Sequence, residues 1–80
     1  MISSAQCRAA RGLLAWSQRQ LADAAGVGVV TIHQIETGAN KPRLATLEVV
    51  KRAFESAGVQ FIDENGGGPG VRLRKWRKTK

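Results

Sequence analysis

The residues of this chain that could do chemistry are mostly cations. Thirteen Lys and Arg stand against six Asp and Glu in 80 residues, a formal charge of +7. At this size that sign favours an anionic partner, and nucleic acid is the commonest one. Groups suited to bond making are few. Cys7 is the only thiol and His33 the only imidazole. No acid is spaced to make either one a nucleophile, a general base or a metal ligand. The run Gly66-Gly67-Gly68-Pro69-Gly70 lacks the Gly-Lys-Ser/Thr and the following helix of a phosphate-cradling loop, and reads as a hairpin loop. The expectation is a binding protein, not an enzyme, with no metal and no cofactor.

The elements that position these residues belong to one small domain. A chain of this size buries only ~60% of its unfolded surface, so its stability is marginal. One cysteine cannot close an internal disulfide. No apolar run approaches the ~18 residues of a membrane span and no signal peptide is visible. The expected location is the cytoplasm, with no membrane partner.

Periodicity predicts four helices and then two strands. The first helix starts after Ser3 or Ser4, with Cys7, Ala10, Arg11 and Leu14 on one face. Cys7 on that face is read as a buried core thiol. The second starts at Ser17, where Gln20 three residues on completes a capping box and Trp16 and Leu21 are placed for a hydrophobic staple. Gly26 stops it. The third runs from Gly28 to about Glu36 with Ile32 and Ile35 inward, while Val29, Val30, His33 and Gln34 point elsewhere. A turn through Pro42 leads to a fourth helix at 44–57, with the stripe Leu47, Val50 and Phe54. The period then changes to two. Val59 and Phe61, then Val71 and Leu73, alternate with polar residues about the Gly-rich loop, which predicts a hairpin with a turn signal at Asn65-Gly66.

Residues 18–37 have the spacing of a helix-turn-helix. Ala22 is small where the two helices must cross. Gly26 can take positive φ at the turn. Val27, Ile32 and Ile35 can pin the second helix of the pair to the first. That second helix then stands clear of the body and fits a major groove ~12 Å wide.

At these residues the chain resembles the Cro and phage-repressor helix-turn-helix family, the XRE family. The matching stretches are Ala-Ala-Arg-Gly-Leu-Leu-Ala-Trp-Ser-Gln at 9–18, Gln-Leu-Ala-Asp-Ala-Ala-Gly-Val at 20–27, Thr-Ile-His-Gln-Ile-Glu-Thr-Gly at 31–38 and Pro-Arg-Leu-Ala-Thr-Leu at 42–47. The resemblance implies a mainly α fold, a bundle of four or five helices, and sequence-specific binding to double-stranded operator DNA. Carried over by position, Val29, Val30, His33 and Gln34 read bases. The valines contact thymine methyls, and Gln34 suits adenine. Gln18, Thr31, Thr37, Asn40, Lys41 and Arg43 contact the DNA backbone, and Gln18 also braces the recognition helix. Arg11 and Glu36 form a structural ion pair.

The segment 59–80 lies outside the resemblance. Residues 66–80 carry six basic residues and no acid. The chain is thus divided into a helix-turn-helix domain at 1–58 and a hairpin with a basic tail at 59–80, where Trp76 argues for some docking of the tail. A hairpin alone is marginal in water, so its apolar face is expected to pair with a second copy. Val50, Phe54, Val59, Phe61, Val71 and Leu73 are the expected homodimer seam.

Three functions are carried forward. The first is a transcriptional regulator, a repressor, bound as a homodimer to a two-fold operator and open to control by a protein partner. The second is the DNA-binding antitoxin of a toxin–antitoxin pair. The third is a protein-interaction module derived from the fold.

Overall fold

The computed structural model describes residues 2–39, 41–63 and 66–74. The chain runs α1 (Ser4–Leu14), α2 (Gln18–Ala25), α3 (Val29–Thr37), α4 (Leu44–Ser56), β1 (Val59–Ile62) and β2 (Gly70–Leu73). The mainly helical fold with a short C-terminal hairpin is as expected. Asn40, Asn65 and residues 75–80 of the basic tail, Trp76 among them, lie outside the described residues.

Capping sets the helix starts. Ser3 caps α1, and Gln6 reciprocates. The Gln6 amide donates to Ser3 Oγ at 3.1 Å, and the Ser3 amide to Gln6 Oε1 at 3.0 Å. Ser17 and Gln20 repeat the arrangement at α2, at 3.0 and 2.8 Å. Each box satisfies two amides, one at the N-cap and one in the first turn. Gly26 and Gly38 close α2 and α3 in the left-handed conformation, φ 72° and 71°. Ala15 closes α1 the same way at φ 56° without being a glycine.

The core gathers Cys7 and Ala10 from α1, Leu21 and Ala22 from α2, Ile32 and Ile35 from α3, and Val50 and Phe54 from α4. The Trp16 ring stacks on Phe54, centroids 5.9 Å apart. The staple residue thus packs beneath α4. Phe61 of β1 meets the other side of Phe54 edge-on at 5.8 Å.

The hairpin is antiparallel, with Val59 opposite Leu73 and Phe61 opposite Val71. The Arg74 amide extends the ladder to the Gly58 carbonyl at 2.7 Å. Its apolar face is spent on the chain's own core. Val50 and Phe54 are 0% exposed and Val59 is 1% exposed. Phe61, Val71 and Leu73 pack half-buried against the same cluster. Of the expected seam, Val50, Phe54 and Val59 are thus core residues of the single chain, while Phe61, Val71 and Leu73 remain partly exposed. Four short helices leave one side of a small core open, and the hairpin covers it. Gln6 fastens it, since its Nε2 donates to the carbonyls of Gly70 at 3.0 Å and Ile62 at 3.4 Å.

Candidate nucleic-acid interface

The two central helices pack against each other. α2 ends at Gly26 and α3 begins three residues later, capped by the Gly28 backbone with no side-chain bond. Ile32 and Ile35 are buried, which turns the opposite face of α3 outward. Val30 is 64% exposed in the first turn. His33 is exposed and Gln34 half-buried on the following turn. Val29, expected beside Val30 at the reading surface, is less exposed than its neighbour. It is half-buried and packs against the core. Val30 is the outward one of the two valines.

Beside α3 a cleft brings together several of the expected DNA-contacting residues. Thr31 and Gln34 line it from α3, Lys41 and Arg43 from the following loop, and Thr46 from α4. Thr46 was not singled out from the sequence, because its place depends on how α4 leaves the loop. Arg43 is the N-cap of α4 and its side chain makes no capping bond. The first amides of α4 are thus without a side-chain cap, with the partial positive charge of a helix start. Thr37 is exposed, but its hydroxyl donates to the Gln34 carbonyl at 3.3 Å and accepts from the Ala39 amide at 3.4 Å. It shapes the turn after α3. Asn40 lies outside the described residues.

Glu36 anchors α3 to the body. Its side chain is 3% exposed and accepts four bonds. Arg11 Nε reaches Oε2 at 2.7 Å and Nη2 reaches Oε1 at 2.9 Å. Gln18 Nε2 donates to Oε1 at 3.0 Å, and Cys7 Sγ to Oε2 at 3.4 Å. The expected Arg11–Glu36 pair is present, and Gln18 braces α2 against α3. Burial by itself would raise the Glu36 carboxyl. The bonds from Arg11, Gln18 and Cys7 outweigh it and hold the group below the ordinary glutamate value. The bond to Glu36 raises Arg11 further above its usual range. Burial, and next the charge of Glu36, push the Cys7 thiol up to about 12. It therefore stays protonated and serves as a donor.

Two further residues grip the end of α3. Ser4 Oγ donates to the Ile35 carbonyl at 2.7 Å, and Arg8 Nη1 donates to the Glu36 carbonyl. The sequence reading missed both. A signal was there in the spacing of Ser4, Cys7, Arg8 and Arg11, which fall at i, i+3, i+4 and i+7. Half of that stripe was read as an apolar face, whereas all four side chains are donors.

The arrangement offers an outward helix with a hydrophobic and a polar tip, flanked by cations and free helix-start amides. It can contact base edges and the phosphates beside them. No described helix is long and apolar enough to cross a membrane. A search of curated proteins finds no match. A family model described as Helix-turn-helix matches residues 8–56, more than half of the chain and the span that holds every residue of this interface except Ser4 and Cys7. The chain belongs to that helix-turn-helix family, the Cro and phage-repressor type of DNA-binding regulator.

Proposed function

We propose that this protein is a sequence-specific transcriptional repressor that reads double-stranded DNA with α3. The observation that carries the reading is the split of one short helix. Ile32 and Ile35 are buried while Val30 is 64% exposed, and Gln34 shares a cleft with Lys41 and Arg43. A helix that buries its hydrophobic residues on one side only has no packing need for Val30 in solvent. A thymine methyl accounts for it. Gln34 and His33 supply hydrogen-bonded readout one turn on. Gln18, Thr31, Lys41 and Arg43 hold phosphates.

One recognition helix reads few base pairs, and two half-sites about one turn apart restore affinity. The proposal therefore includes a homodimer on a two-fold operator. Its seam draws on side chains that remain outside the core; apart from Val30, the exposed large apolar ones among the described residues are Leu13, Leu44 and Val49. The site of action is the cytoplasm, and a protein partner or the protein's own concentration controls occupancy.

Selection from random duplexes tests the reading directly, and a two-fold motif is the expected product. Gln34→Ala should relax preference at one base pair per half-site by ~1–3 kcal/mol. Arg43→Ala should weaken binding to all duplexes and flatten the salt dependence by ~0.9 per phosphate lost. An unenriched pool would sink the proposal.

A further inference from the structure

One stripe of α1 meets the last turn of α3. Ser4, Cys7, Arg8 and Arg11 share a helical face, and each donates to Ile35 or Glu36. Two of the four bind the Glu36 carboxylate. The other two bind the main chain, Ser4 at the Ile35 carbonyl and Arg8 at the Glu36 carbonyl. The difference has a mechanical meaning. A side chain can keep its ion pair while its helix slides or tilts, because χ rotations take up the movement. A bond to a carbonyl holds the helix backbone itself. These carbonyls belong to the final turn, at the negative end of the helix dipole; the Ile35 carbonyl also takes the Gly38 amide at 3.3 Å. Arg8 brings a full positive charge to it. Gly38 turns the chain immediately behind, and a Cβ there would lie 3.5 Å from Ser4 Oγ. The end of α3 is thus closed against α1.

We propose that Ser4 and Arg8 are positioning residues for base reading, fixing the height and tilt at which α3 presents Val30, His33 and Gln34. This rests on α3 being the reading helix. Neither residue need touch DNA. Without them the last turn of α3 loosens and the helix samples several positions. Phosphate contacts tolerate such movement, whereas base-edge contacts do not.

The test compares Arg8→Ala, Arg8→Lys and Ser4→Ala with the parent. Binding is measured to the duplex that the parent selects and to an unrelated duplex, at several salt concentrations. Amide exchange in residues 34–38 is followed in DNA-free protein. Arg8→Ala should lose about tenfold on the selected duplex. Its binding to the unrelated duplex and its salt slope should stay unchanged, and its last-turn exchange should quicken. Arg8→Lys should recover most of the discrimination, since an ammonium reaches the same carbonyl. Ser4→Ala should show the same pattern at smaller amplitude, and it decides the matter if Arg8→Ala does not fold. Equal losses on both duplexes with a shallower salt slope would make Arg8 a phosphate contact and overturn the proposal. Undiminished discrimination in both alanine variants would overturn it as well. A parent that selects no sequence would instead overturn the reading of α3 on which the proposal rests.

Discussion

The Arg11 guanidinium and the Glu36 carboxylate meet in two parallel bonds, Nε to Oε2 at 2.7 Å and Nη2 to Oε1 at 2.9 Å. This planar fork joins the first helix to the recognition helix across 25 residues of sequence. Glu36 is 3% exposed and Arg11 23% exposed, so solvent screens the pair weakly. Removing one partner strands the other, at a cost of about 3–5 kcal/mol. Glu36→Gln should therefore lower the melting temperature by more than ten degrees, since 1 kcal/mol moves a domain of this size by ~4–8 °C. Calorimetry showing a shift of one or two degrees would refute the structural role of the pair.

Acid should weaken the fold through the same carboxylate. Its value in the folded chain is lower than the ordinary 4.5. Between the two values the unfolded chain binds the extra proton, so stability rises with pH there. The contribution of Glu36 is complete above pH 4.5 and is lost as pH falls through the folded value. Denaturant titrations of the parent and of Glu36→Gln should converge as the buffer is made more acidic. Parallel curves across that range would contradict the assignment.

The hairpin should be indispensable to the fold. Cutting the chain after Gly58 removes Val59, which is 1% exposed, and uncovers Val50 and Phe54, both 0% exposed. The fragment 1–58 should show no cooperative melt. Phe61→Ala in the full chain removes the edge-on contact with Phe54 and should cost about 2 kcal/mol, less than a fully buried phenylalanine. A fragment that melts like the parent would show that the helices suffice.

Ala15 offers a gain. Its φ of 56° costs an L residue roughly 1–2 kcal/mol. Glycine removes that cost but adds ~0.5–1 kcal/mol of unfolded-state freedom. Ala15→Gly should raise the melting temperature by a few degrees. An unchanged or lower midpoint would mean that the Ala15 methyl contributes packing worth the strain.

How much of this was legible in the residues follows from the range of each interaction. The caps at Ser3 and Ser17, the stops at Gly26 and Gly38, the inward Ile32 and Ile35 and the strand alternation at 59–62 and 70–73 are local. Each depends on residues within one turn or one pleat, so spacing alone determined them, except that it left Ser3 and Ser4 both open as the first cap. Residue spacing also marked the helix-turn-helix, and the resemblance to the Cro and phage-repressor family implied the Arg11–Glu36 partnership. What only the tertiary structure decided is where surfaces of different elements meet. The apolar side of the hairpin had two partners of equal chemistry, a second copy or the chain's own helices. In the folded chain that side lies against the chain's own helices. Val29 and Val30 are neighbours of one type, and only the crossing of α2 and α3 turns one inward and the other out. Ser4, open by sequence only as a helix cap, and Arg8, given no role by it, find their partners when the end of α3 is brought against α1, because a carbonyl acceptor leaves no mark on the sequence.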